Sequence, residues 1–264
     1  MSCGPQIRRP AVAGQFYPAD PVELRLTIDS FLAQAVPQGR NPKALIVPHA
    51  GYVYSGPVAA SAYGQLLSLH GRIQRVVLLG PTHHVRFQGL AASSADVYAS
   101  PLGGIPLDRP AVERALELSC VRTLDNAHLR EHSLEVHLPF LQVVLGQFQL
   151  VPLVVGQTSA MDTADVLERL WGGPETLIVI SSDLSHFHDW ATARRLDAET
   201  CRVIEARRSD LLTGERACGC HAVNGLLKVA TRRQLPITTL DLRNSGDIVG
   251  QRDRVVGYGA WLVG

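Results

Sequence analysis

Ten histidines are spread along this 264-residue sequence, and several of them follow directly on short apolar runs. Lys43-Ala-Leu-Ile-Val47 leads through Pro48 to His49. Arg75-Val-Val-Leu-Leu-Gly80 leads through Pro81-Thr82 to His83-His84. Thr176-Leu-Ile-Val-Ile180 leads through Ser181-Ser182-Asp183 to His186. Neutral imidazoles ligate metals, move protons near neutral pH, and are commonly oriented by a carboxylate. His49 stands in Pro48-His49-Ala50-Gly51-Tyr52, where glycine permits a tight turn. Neighbours in a doublet point in different directions, so at most one of His83 and His84 faces such a site, and spacing leaves open which.

Two later clusters add polar chemistry. Glu131-His132-Ser133-Leu134-Glu135-Val136-His137 runs into an apolar stretch. Read as a helix start, it sets His132 beside Glu135 and Ser133 beside His137. A capped helix with a solvated first turn would use the same residues. Cys218-Gly219-Cys220-His221 opens a helix expected from Ala222, where the dipole would favour a Cys218 thiolate. Its spacing is not that of a zinc finger, and no second cysteine pair could close a four-thiolate site. Adjacent residues such as Cys220 and His221 face each other poorly, which argues against a thiol hydrolase. His70 and His128, without a partner pattern, read as surface residues.

Positioning these groups requires elements that end at one edge. The three apolar runs above, with Leu150–Val155 and a last strand Arg254–Leu262, read as strands covered on both faces. Helices are expected from Pro21 (capped by Asp20) to Ala35, and over 58–67, 110–119, 133–145, 163–170, 190–207 and 222–231. Alternating strands and helices give an α/β fold: a single domain, residues 1–264, with a central mixed sheet flanked by helices. Ligands of such sheets bind outside the carboxyl ends of the strands, where His49, His83 and Asp183 fall.

Composition narrows the function. Hydrophobic residues make up 46% and charged residues 19%, which is globular rather than disordered. A net charge of +1, with arginines scattered in doublets, argues against nucleic-acid binding. No apolar run approaches the ~18 residues of a membrane span, and no signal-peptide pattern opens the chain. A cytoplasmic protein is expected. Its five cysteines then read as free thiols rather than a disulfide framework.

Taken in order, the motifs resemble the Memo family, whose bacterial and archaeal members are called AmmeMemoRadiSam system protein B. The resemblance covers the whole chain. It rests on Ala13-Gly14-Gln15-Phe16-Tyr17-Pro18, Pro48–Gly56, Gly80–His84, Glu131–Pro139, Ser181–His186 and Cys218-Gly219. It implies a fold similar to class III extradiol dioxygenases, with cysteine where those enzymes have a carboxylate ligand. The implied metal ligands are His49, His83 and Cys218, holding Fe(II), with Cu or Zn as alternatives. Asp183, His186 and His132 become the implied catalytic residues, and Glu135, His137 and Tyr54 pocket residues. The implied activity is metal-dependent redox chemistry on a small phenolic ligand, and the alternative is an adaptor that receives a peptide in the same pocket. AMMECR-type and radical-SAM proteins are the implied partners. One departure is Cys220, a second thiol followed by His221, where relatives often lack one.

Overall fold

Four apolar strands lie side by side and parallel, in the order Ala44–Val47, Thr176–Ser181, Arg75–Pro81 and Gln149–Val155. They centre a nine-stranded mixed sheet in the computed structural model, which describes residues 4–264. Val255–Val263 runs antiparallel to Ala44–Val47, and itself carries Ile237–Asn244 and the short His186–His188 strand. At the other side, Leu90–Ala92 is antiparallel to Gln149–Val155 and parallel to Val121–Thr123. A separate three-stranded sheet joins Ile7–Arg8, Val97–Ser100 and Gly103–Pro106. This is the expected single-domain α/β architecture with a mixed sheet flanked by helices.

Successive side chains of a strand point to opposite faces, and both faces here are apolar. Leu45, Val47, Leu78, Val154 and Val179 pack on one side, beneath the helices Pro21–Leu32, Tyr52–Tyr63 and Leu138–Leu145. Ile46, Val77, Leu79, Leu153 and Ile180 pack on the other, beneath Ala160–Leu170 and Cys220–Arg232. Double burial is why these strands read as unbroken apolar runs. No helix among the described residues is long and apolar enough to cross a membrane.

Several local expectations change. The helix expected from Ser133 begins at Leu138, after a single 3₁₀ turn over Glu135–His137. His132 therefore precedes it, and the pairing of His132 with Glu135 on one helix face does not form. The helix expected over 58–67 starts at Tyr52, immediately behind His49, and gives way at Gly64 to a 3₁₀ segment. The short strands Leu90–Ala92, Val97–Ser100, Gly103–Pro106 and Val121–Thr123 are three or four residues long, too short to show a pattern, and escaped sequence reading.

Candidate metal centre

Strand register brings the polar strand ends together. Val47 pairs with Ser181 and Leu79 with Ile180, so His49, Asp183 and His83 leave the sheet at one level. The Asp183 carboxylate accepts from the His49 backbone N–H at 2.8 Å, and the Ser182 N–H donates to the Val47 carbonyl. These bonds hold the two exit turns against each other.

Three imidazoles converge at this edge. Ligand nitrogens of His49, His83 and His132 all lie within 4.8 Å of one another. The His83 and His132 rings stack with centroids 4.5 Å apart, and His49 meets both edge-on at 5.2 and 5.5 Å. Both members of the doublet are exposed, and His84 meets the His132 ring edge-on with centroids 6.3 Å apart, outside the group of converging nitrogens. Cys218 Sγ stands 3.4 Å from His49 Nε2 and 3.3 Å from the Asp183 backbone nitrogen. Sequence reasoning placed His132 as an acid or base; the structure groups it with the two histidines expected to bind metal, and sets Cys218 beside one of them.

Glu131 holds His83 in place. Its carboxylate accepts from His83 Nδ1 at 2.8 Å, from the His83 N–H at 2.6 Å and from the Ser133 N–H at 2.9 Å. Fixing Nδ1 as the donor leaves Nε2 of His83 with its lone pair free, as a metal ligand requires. Burial raises the Glu131 pKa, but these bonds, above all the one from His83, outweigh it and hold the group at about 2. Glu131 appeared in the sequence only as part of a motif; nothing in its spacing tied it to a histidine 48 residues earlier.

Burial also disfavours charge on two of the three imidazoles. Desolvation, then repulsion from the other histidines, lowers His49 well below the ordinary imidazole range and brings His132 down to about 4. Asp183 is raised to about 7, chiefly by burial. Burial and the nearby Asp183 push the Cys218 thiol upward. This corrects the thiolate expected there: the helix starts at Cys220, nearer than expected, but burial and Asp183 outweigh its dipole. Close packing secures this turn, because a Cβ at Gly219 would sit 2.4 Å from the Ser181 carbonyl oxygen.

A cavity of about 350 Å³ adjoins the cluster, lined in part by Tyr54, His132, Asp183, His186, Arg254 and Tyr258. His186 lies 2.8 Å from the Leu184 carbonyl through Nδ1, a contact that makes Nδ1 the donor and leaves Nε2 as an acceptor. The structure thus brings Tyr54, His132, Asp183 and His186 to one cavity. Glu135 and His137, expected in the pocket, lie behind it instead. The Glu135 carboxylate is fully buried and anchors the N-terminal segment, accepting from Arg8, the Tyr17 hydroxyl and the Ala11 and Val12 N–H groups. His137 has both ring nitrogens engaged, by Tyr63 and Ser181. His128 is also buried rather than on the surface, bonded to the Tyr98 hydroxyl and the Ala91 carbonyl. Cys220 packs into the core, and His221 opens on a different cleft beside Cys120.

Fold and site together define an α/β protein with a three-histidine cluster that could hold a metal ion, at the carboxyl edge of its parallel strands. The chain belongs to the Memo-like family, whose model matches residues 8–262. A MEMO1 family protein of Sulfolobus acidocaldarius is 36% identical over 96% of this chain and 97% of its own length. Relatives of the same description in Aquifex aeolicus and Thermotoga maritima are 34% and 35% identical, covering 96% and 95% of this chain and 97% of each relative. Among solved structures, an uncharacterized Escherichia coli K12 protein aligns at 15% identity and a TM-score of 0.49, over 85% of this chain and 100% of that one.

Proposed function

We propose that this protein is a metal-dependent redox enzyme whose centre is held by His49 and His83, with His132 and Cys218 as competing third ligands. The observation that carries this reading is the convergence of three imidazoles within 4.8 Å. The donor set fits a transition metal. Neutral imidazoles offer lone pairs, Glu131 directs His83, and a thiol beside His49 gives up its proton on coordination. Two imidazoles with open positions suit Fe(II), whereas participation of sulfur would favour Cu(I) or Zn. The metal would supply Lewis acidity and, as iron or copper, a redox couple.

The chain's own residues supply the rest. The cavity size suits a molecule of about one aromatic ring, with Tyr54 and Tyr258 as apolar walls. Arg254 lines the same cavity, its guanidinium 5.0 Å from the Phe187 ring centre, and offers a contact for an anionic substituent. His186, with Nδ1 pinned, presents Nε2 to take a proton from a phenolic hydroxyl. An adaptor role for the same pocket has one observation in its favour: Tyr54 and the neighbouring strand residue Phe187 are 42% and 62% exposed.

Elemental analysis after anaerobic purification and reconstitution tests the centre. About one transition metal per chain is expected, lost in both His49→Ala and His83→Ala. Comparing His132→Ala with Cys218→Ser identifies the third ligand. Oxygen uptake with small phenols then separates enzyme from adaptor. Full metal content in the His49 and His83 variants would refute the reading.

A further inference from the structure

Ser181 ends the Thr176–Ser181 strand, and its hydroxyl is surrounded by three polar partners. Oγ lies 2.6 Å from the Ser133 carbonyl oxygen, 2.6 Å from His49 Nδ1 and 2.8 Å from His137 Nε2. A hydroxyl has one proton to give and two lone pairs with which to accept. Two oxygens 2.6 Å apart are tolerable only with a proton between them, and a carbonyl has none. The Ser181 proton is therefore committed to Ser133. Each remaining short contact also needs a proton, which the imidazoles must then provide.

We infer that Ser181 is a positioning residue that sets the tautomers of two histidines with one proton. His49 carries its hydrogen on Nδ1, so Nε2 turns its lone pair toward the cluster, where Cys218 Sγ lies 3.4 Å away. His137 carries its hydrogen on Nε2, and its Nδ1 accepts from the Tyr63 hydroxyl at 2.8 Å. Two buried donor arms thus converge on Ser181, one from Tyr63 through His137 and one from His49, while its own proton goes to the Ser133 carbonyl. The same hydroxyl that readies His49 as a ligand withdraws His137, leaving it no free lone pair. His137 stands five residues from His132 in a histidine-rich motif, and this arrangement is the physical reason the two differ.

His49 matters as a ligand only under the metal-centre reading, and in that respect the inference rests on it; the tautomers themselves do not. Chelator-treated protein labelled with ¹⁵N at histidine distinguishes protonated from bare ring nitrogens through long-range ¹H–¹⁵N correlations. His49→Asn and His137→Asn spectra assign the signals. The wild type is expected to show His49 protonated on Nδ1 and His137 on Nε2. Ser181→Ala should shift both patterns and weaken zinc binding by roughly 10–100-fold. A His49 proton found on Nε2 in the wild type would overturn the assignment, even if the alanine variant failed to fold. So would a folded Ser181→Ala protein with unchanged tautomers and zinc affinity. Expected tautomers without zinc uptake by the wild type would uphold the role of Ser181 and count against the metal centre.

Discussion

Replacing Glu131 by glutamine keeps size and shape but removes one of two acceptor oxygens. Three N–H donors converge on the carboxylate: two from His83 and one from Ser133. An amide offers one oxygen and one NH₂, so at least one donor must face another donor. Glu131 is 1% exposed, and water cannot make good the loss. A buried donor left unpaired costs about 1–3 kcal/mol, and bonds to a charged acceptor lie toward the upper end. About 2 kcal/mol corresponds to a fall in Tm of roughly 4–8 °C for a chain near this size. The His83 ring also loses its fixed carboxylate acceptor, so metal affinity should drop by about 10–100-fold. Thermal unfolding of the metal-free variant measures the first effect, and zinc titration against a competing chelator the second. A Glu131→Gln protein with wild-type Tm would refute the donor count. A normal Tm loss with unchanged zinc affinity would separate His83 from metal binding.

Two further outcomes are expected. Burial raises the Asp197 pKa from 3.8 to about 6, so its charge disfavours the fold as pH climbs through that interval, by about 3 kcal/mol in all. Asp197→Asn should gain about 2–2.5 kcal/mol of that on the wild type between pH 4 and pH 7.5 in urea unfolding; a pH-independent difference would contradict it. In chelator-treated protein, burial beside Asp183 should make Cys218 react with iodoacetamide roughly tenfold or more slowly than free cysteine at pH 7.5. Peptide mapping after brief labelling gives the rate, and labelling as fast as free cysteine would contradict it.

Much of the architecture was legible because the central strands are buried on both faces. Such strands must be apolar throughout, and their runs stop where the chain leaves the core, which is why His49, His83 and Asp183 mark strand ends in the sequence itself. The Asp20 cap and the start of the long helix at Trp190, capped by Asp189, were legible for a similar local reason. The short strands beyond Gln149–Val155 were not, since they rely on neighbours rather than on their own pattern.

Which polar residues meet was decided only by the tertiary fold. His132, His137, Glu131 and Glu135 lie within seven residues and look equivalent in sequence. The chain turns there in an irregular segment instead of a helix, so side-chain direction follows no period. Long-range contacts then assign the roles: Glu131 to His83, Glu135 to Arg8 and Tyr17, His137 to Ser181 and Tyr63, and His132 to the cluster with His49 and His83. Cys218 shows the same division. Its proximity to a helix start was readable, but its protonation depends on burial and on an aspartate 35 residues away, which only the packed structure brings beside it.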